Sequence, residues 1–467
     1  MNTIKIASRS ILRNVRRSLM TVLAISVGAS SLVVFGEFVS RVFAQLETRG
    51  VISGGHIAIY HRGYFDYGTG NPSAYGIRDY QSLLDLVTND PVLKPKINVA
   101  TPVINLFGIA ANFEDEASKT FFGRGVMPAD YNRMQQWDEH DLKDFTVDAS
   151  INTEDFSHGN MGVGLARILK LAKPLKLDAG SMAPDLEEPA HRGPSDTKRD
   201  FSNLEDSGKT GASGGEATAA VARLDLLAAT AGGAPNVVNF FADKAISQGM
   251  KEVDDSFVLM NFDLSQQLLF GRGEKQAVGV VLQLHHTRDI PAVRTRLEQL
   301  FKEKSLNLEV RDLKELQPFY KQAVGMFSAI FMFVAVIMIV IVLFTIVNTM
   351  SMSVMERTQE IGTLRALGLG RMGVMAQFVL EGAMLGLVGT FVGLLVGVVI
   401  TQLVNHAGLT WQPPGSASPI PLKLMTNGAV GLFVAIGFGL SAIATLAALI
   451  PARNAGRMKV VDALGHV

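Results

Sequence analysis

The sequence predicts an α-helical membrane protein with four transmembrane helices and a large α+β domain inserted between the first and the second. Three observations carry this expectation. Four runs are apolar over more than the roughly 20 residues needed to cross a bilayer. Between the first and second of them lie residues 44–320, where nothing is long and apolar enough to span. Short-range basic charge clusters at alternate ends of the runs, which orients them.

The whole-chain numbers agree with a mixed architecture. With 467 residues, 48% of them hydrophobic, and a mean hydropathy of +0.24, the chain is too apolar for a purely soluble protein. It is also too polar for a transporter of many spans. The formal net charge is +0, so there is no global attraction to nucleic acid and any charge message is local. Cysteine is absent. That excludes disulfides, thiolate metal sites, cysteine nucleophiles and a lipid-modified cysteine. The redox compartment stays open, because an exported domain of this size builds a core without staples.

Residues 1–17 carry Lys5, Arg9, Arg13, Arg16 and Arg17 with no acid among them. They predict a cytoplasmic interfacial helix lying on an anionic leaflet. Residues 18–43 form the first span. The run is too long for the apolar region of a cleaved signal peptide and lacks a small-x-small site, so it is expected to stay. In 44–320, alternating strand patterns at 51–60 and 278–285, an amphipathic helix at 291–304 and a strand at 306–310 predict the α+β domain. Residues 176–216 are rich in Pro, Gly, Ser, Asp and Lys and predict a mobile insertion within it.

The second span, 321–354, exceeds a bilayer's thickness and is expected to project beyond it as a stalk. Residues 355–371 are the polar connector. The third span, 372–404, has Glu381 as its only charge. A position near the cytoplasmic end, about two to three turns from Arg371, would let Glu381 snorkel. Gly386, Gly389, Gly393 and Gly397 recur there at intervals of three or four. That spacing permits close helix contact, although glycine is also simply common in membrane helices. A hairpin at 405–423 contains Trp411, Pro413 and Pro414. The fourth span is 424–452, and the tail 453–467 brings Arg453, Arg457 and Lys459. The basic flanks put both termini and the 355–371 connector on the cytoplasmic side, with the α+β domain outside.

The connector is patterned. Ile361, Leu364 and Leu367 recur every three residues, continuing a stripe that begins with Glu356, Arg357 and Glu360. Glu356 and Glu360 share a face at a cost of roughly 0.2–0.5 kcal/mol, which a positively charged partner would offset. A solvated loop helix has the same pattern.

The stretch Glu356-Arg357-Thr358-Gln359-Glu360-Ile361-Gly362-Thr363-Leu364-Arg365-Ala366-Leu367-Gly368 closely resembles the signature of the MacB/LolC/FtsX-type ABC transporter permeases. Ala7, Leu12, Arg13, Asn14, Arg17, Ser18, Thr21 and Gly28 resemble that family's approach to its first span. Pro451-Ala452-Arg453-Asn454-Ala455 with Asp462-Ala463-Leu464 resembles its ending, except that Val460 stands where proline is usual. Residues 252–264, the strand near Val280 and Leu313 to Tyr320 resemble the lipoprotein-releasing LolC/LolE-like branch more than the cell-division branch. The 176–216 insertion has no counterpart in the resemblance.

The resemblance implies a bacterial inner-membrane protein whose α+β domain is periplasmic. Two permeases, identical or paralogous, would pair around two separate cytoplasmic ABC ATPase subunits. Those subunits, not this chain, would hold ATP and Mg. The connector would be the coupling helix, with Glu356, Arg357, Glu360, Ile361, Leu364, Arg365 and Gly368 as its docking residues. Motion would pass through the stalk to the periplasmic domain. Substrate access would lie between the first and second spans near Glu37, Phe38, Val42, Met326, Phe327, Ile330 and Phe331, with membrane lipids around them. A periplasmic adaptor or carrier is a further expected partner; nucleic acid is not.

Catalytic chemistry is not legible. No Gly-x-x-x-x-Gly-Lys-Ser/Thr occurs, Gly368-x-Gly370-x-x-Gly373 has no strand before it, and no His-Glu-x-x-His occurs. His56, His61, His285 and His286 lack metal-ligand spacing. The expected function is therefore that of a non-enzymatic permease subunit. It would serve lipoprotein release toward the outer membrane, or efflux of a hydrophobic compound. The alternative is a transmembrane regulator of a periplasmic cell-wall enzyme, without transport. An autonomous membrane enzyme is disfavoured by the lack of a catalytic constellation.

Overall fold

A computed structural model describes residues 15–68, 72–142, 149–177, 222–230, 233–271, 273, 275–412, 420–425 and 430–458. The expected interfacial helix therefore falls almost wholly outside the described residues. The expected insertion does so from 178 onward, as do Pro413, Pro414 and the tail beyond 458.

Among the described residues, four helices are long and apolar enough to cross a membrane. The first, α1 (Val15–Gly54), has 40 residues. At 1.5 Å per residue it is about 60 Å long, roughly twice a hydrocarbon core. Gly55 ends it with φ +72°, where a Cβ would meet the Leu282 carbonyl oxygen at 2.8 Å, and the chain turns into strand β1 (Ile57–His61). The strand expected from residue 51 thus starts later, because Val51 is buried in the last turn of α1 against Trp137 and Leu313.

The α+β domain follows. Helix α2 (Tyr80–Asn89) leads into the 16-residue strand β2 (Ile97–Asn112) and β3 (Ala117–Val126). Then come β4 (His158–Gly162), β5 (Arg223–Ala229), β6 (Pro235–Ile246) and β7 (Phe257–Asn261). Helix α3 (Phe262–Phe270), β8 (Gly279–Leu284), α4 (Ile290–Glu303) and β9 (Leu308–Asp312) complete it. The strand order is β3-β7-β4-β6-β5-β2-β8-β1-β9, and β2 also pairs with β3. That extra pairing closes six strands into a ring. It is possible because β2 is long: residues 97–103 pair with β8 and residues 103–112 with β3. The ring and the β8-β1-β9 sheet therefore share one strand and one core, including Ile59, Leu106, Phe121, Phe240 and Val280.

The end of α1 is built into this domain. Gln135 Nε2 donates to the Ile52 carbonyl at 3.0 Å, and Arg49 donates to the Gln248 carbonyl at 3.1 Å. The Thr287 hydroxyl donates to Glu47, and His140 Nε2 lies 3.5 Å from the same carboxylate. His56, fully buried, accepts from Leu284 N–H at Nδ1 (3.0 Å) and stands edge-on to Trp137.

The chain leaves the domain through α5 (Pro318–Glu356), 39 residues long, which packs along α1. Both helices, not only the second, thus outreach a bilayer. Next are α6 (Thr358–Ala366), α7 (Arg371–His406), a small hairpin of β10 (Thr410–Trp411) and β11 (Ile420–Pro421), and α8 (Val430–Arg457). The glycines of α7 set how closely it packs. Added methyls at Gly382 and Gly386 would meet Ala448 and Ala444 of α8 at 2.3 and 2.4 Å. At Gly389, Gly393 and Gly397 they would meet Ile25, Ala29 and Val33 of α1 at 2.8, 2.5 and 2.9 Å. One glycine stripe thus serves two neighbours, and Ser26 adds a hydrogen bond to the Gly389 carbonyl at 2.9 Å.

Candidate functional site

Helix α6 is separated from α5 by Arg357 alone. Successive residues on a helix point about 100° apart, so the foot of α5 reaches two neighbours at once. Glu356 accepts both terminal nitrogens of Arg17 on α1, at 2.6 and 2.5 Å. Arg357 turns inward and donates to Glu381 of α7 at 3.2 Å. Those two side chains are only 5% and 6% exposed.

Along α6 the sides divide cleanly. Thr358, Ile361 and Gly362 are buried, and Ile361 joins the bundle core with Val374 and Phe378. Gln359, Glu360, Thr363, Leu364 and Leu367 face outward, with Leu364 40% and Leu367 80% exposed. The helix stops at Gly368, whose φ is +98°. Its N–H donates to the Arg365 carbonyl and the Leu369 N–H to the Leu364 carbonyl, at 3.1 and 3.0 Å. This is the paired closure that a left-handed glycine permits. The Arg365 guanidinium donates to the Met458 carbonyl just past α8.

The expected docking set therefore splits. Glu360 and Leu364 are presented outward, and Gly368 ends the helix. Arg357 and Ile361 lie inside the bundle, and Glu356 and Arg365 make contacts within the chain, to Arg17 and to the Met458 carbonyl. Glu381 does not snorkel, because Arg357 meets it inside the bundle. Leu367 was visible in the apolar stripe yet absent from the expected set, and it is the most exposed apolar side chain of this face.

The expected access residues also divide. Phe38 and Phe327 meet edge to face at 6.2 Å. Phe331 stacks on Phe35 at 6.1 Å, and Phe35 on Phe38 at 6.3 Å. These rings join α1 to α5, with Trp411 of the hairpin edge-on to Phe38 at 5.6 Å. Phe35 and Trp411 complete a cluster that the expected set held in part; Phe35, three residues before Phe38, carries the helical spacing that would reveal it. Met326 and Ile330 are exposed, and Val42 is buried. Glu37 is 1% exposed and accepts from the Thr401 hydroxyl on α7. Among the described residues, no three His, Cys, Asp or Glu side chains gather as a metal site would require.

Comparison with known proteins places the family on this geometry. The FtsX-like permease C-terminal family matches residues 332–460, from within α5 through α6 and α7 into the residues after α8. The chain carries an FtsX-like permease domain. It is similar to the lipoprotein-releasing system transmembrane protein LolC of Neisseria meningitidis, 27% identical over 50% of this chain and 57% of that protein. It is similar to an ABC transporter permease of Methanocaldococcus jannaschii, 26% identical over 32% of this chain and 38% of that one. It is also similar to the macrolide export ATP-binding/permease protein MacB of Chlorobium luteolum, 35% identical over 34% of this chain and 22% of MacB. The chain thus spans less than two thirds of each of these relatives. The FtsX-like domain contains α6 and both ends of the Arg357–Glu381 pair.

Proposed function

We propose that this chain is the permease subunit of an ABC transporter in the bacterial inner membrane, with its α+β domain in the periplasm and α6 in the cytoplasm. It couples ATP hydrolysis on a separate ATPase, which binds ATP and Mg, to extraction or export of a lipidic or amphipathic substrate. One observation carries this reading most. The FtsX-like domain presents a short helix whose outer face is Glu360, Leu364 and Leu367, while its inner face is fixed to the bundle. A surface loop would not need two ion pairs at its root; a lever does. Force arriving on α6 passes through Glu356 to α1 and through Arg357 to α7.

Both long helices then carry the movement outward, since α1 is hydrogen-bonded into the α+β domain at Glu47, Arg49 and Ile52. The aromatic cluster of Phe35, Phe38, Phe327 and Phe331 closes the gap between α1 and α5, and an amphipathic substrate entering from the membrane would part it. A second permease, identical or paralogous, completes the assembly, and a periplasmic carrier or adaptor receives the cargo. The similarity to LolC over half of this chain favours lipoprotein release.

Reconstitution in proteoliposomes with a co-purifying ABC ATPase tests the reading. ATP-dependent release of a lipoprotein to a soluble acceptor is the expected result, and ATP-dependent efflux of a hydrophobic compound selects the other subclass. Stimulated ATP turnover with neither outcome would point to a regulator. Failure to bind any ABC ATPase would overturn the proposal.

A further inference from the structure

A groove of about 640 Å³ opens between α1 and α5 at the end where α6 begins. From α1 it is lined by Arg16, Arg17, Met20 and Thr21; from α5 by a single face running from Ile341 through Phe344 and Asn348 to Met352. We propose that this groove binds one anionic phospholipid of the inner leaflet, its phosphate at Arg16 and Asn348 and an acyl chain along Met20, Phe344 and Ile341. The inference rests on the membrane orientation proposed above.

The lining has the two halves such a ligand requires. Met20 and Phe344 are 71% and 74% exposed in the chain, so both present apolar surface to whatever fills the groove. The twelve residues from Ile341 to Met352 rise about 16 Å over their successive steps of roughly 1.5 Å. That matches one leaflet, about half of a 30 Å hydrocarbon core. The mouth is basic. Arg17 is neutralised by its two bonds to Glu356, so the net positive charge comes from Arg16, which has no ion-pair partner among the described residues. The Asn348 amide supplies neutral donors from the α5 wall of the same groove. Thr21 and Thr349 are already bonded to each other at 2.8 Å, tying the α1 and α5 walls together. A free phosphate would use the arginine and leave the apolar wall wet, whereas a phospholipid satisfies both. Basic pockets between membrane helices on the cytoplasmic side select anionic headgroups by this combination.

The site also touches the lever. Arg17 lines the groove and is also the partner of Glu356, so a phosphate held at Arg16 would draw on the same guanidinium that braces Glu356. Occupancy would then be felt at the root of α6.

The test is native mass spectrometry of the full chain in mild detergent, titrated with an equimolar mixture of phosphatidylglycerol and phosphatidylcholine of identical acyl chains. The wild type is expected to retain phosphatidylglycerol preferentially. Arg16→Gln should cut that preference about fivefold, equivalent to roughly 1 kcal/mol for one basic residue. Arg16→Lys should keep it, and Asn348→Leu should weaken it at unchanged charge. An unfolding midpoint equal to wild type certifies each variant's fold.

Equal retention of the two lipids by the wild type, or a preference untouched by Arg16→Gln, would overturn the proposal. A spontaneous disulfide dimer of the Phe344→Cys variant, in a chain otherwise free of cysteine, would overturn it by assigning the groove to a second copy. Labelling of a Thr363→Cys variant from outside intact cells would sink the orientation, independently of the lipid ratio.

Discussion

Arg357 and Glu381 meet at 3.2 Å with side chains only 5% and 6% exposed, joining the foot of α5 to the interior of α7. A buried pair contributes little net stability over apolar replacements, but losing one partner strands the other charge. Arg357→Ala or Glu381→Ala is therefore expected to destabilise the bundle by about 3–5 kcal/mol. The double variant Arg357→Met with Glu381→Leu should lose far less than the two single losses added. Unfolding midpoints in detergent measure the cycle, and strict additivity would show that the two side chains do not act as a pair.

Leu364 and Leu367 are exposed on α6, whereas Ile361 is buried in the bundle. Leu364→Asp with Leu367→Asp should leave stability within about 1 kcal/mol of wild type and abolish co-purification with the ATPase. Ile361→Asp should instead destabilise the fold by burying an unpaired charge. Retained ATPase binding by the surface double variant would remove this face from the docking role.

Glu356 is engaged by Arg17 across 339 positions of sequence. Because the pair is partly exposed, Glu356→Gln should change stability by less than about 1 kcal/mol. Glu356→Lys should impair stimulation of the ATPase by repelling Arg17, and Arg17→Glu in the same chain should restore it. Without such rescue, Glu356 would be a direct contact of the ATPase and not a brace of α6.

Gly393 faces Ala29 Cβ at 2.5 Å and the Ser26 carbonyl oxygen at 2.6 Å once a Cβ is added, and backbone cannot step aside as a side chain does. Gly393→Ala should cost about 1–3 kcal/mol through overpacking. Gly439 of α8 has nothing within 4 Å of such a Cβ, and Gly439→Ala should be neutral. Equal effects at the two sites would mean that α1 and α7 are not in close contact.

His56 and His140 flank Glu47 where α1 enters the α+β domain, and their titrations oppose each other. Burial, outweighing the attraction of Glu47 and Glu139, pushes His56 down to about 4 from an ordinary 6.5. Above pH 6.5 it is neutral in both states and neutral to stability. As pH falls from 6.5 to 4, the unfolded chain takes up a proton that the fold refuses, and up to about 3 kcal/mol is lost. For His140 the Glu47 carboxylate, outweighing burial, raises the pKa. Its stabilisation is full below 6.5 and is lost as pH rises through the folded value. His56→Gln should flatten the acid-side loss in unfolding midpoints between pH 6.5 and 4, while His140→Gln should lower stability below pH 6.5 without changing that slope and remove a loss on the side above 6.5. Parallel pH profiles for both variants would contradict this assignment.

Much of the architecture was written locally. Four apolar runs announce four long helices because length and apolarity need no knowledge of neighbours, and Gly368 marks the end of α6 because only a left-handed residue closes that turn. The glycine stripe of α7 was equally plain, although its division between α1 and α8 was not. Tertiary structure decided which polar groups work inside the chain. Arg17, Glu356, Arg357 and Glu381 read alike as flanking or intramembrane charges, and only the packing of α1 and α7 around the foot of α5 makes them two braces. Glu37 turns to Thr401 for the same reason: a buried carboxylate takes whichever donor the fold brings near. The closed ring of six strands likewise depends on β2 pairing with three partners along its length, a long-range choice that no short window of sequence contains. Local chemistry set the elements, and non-local partners set their roles.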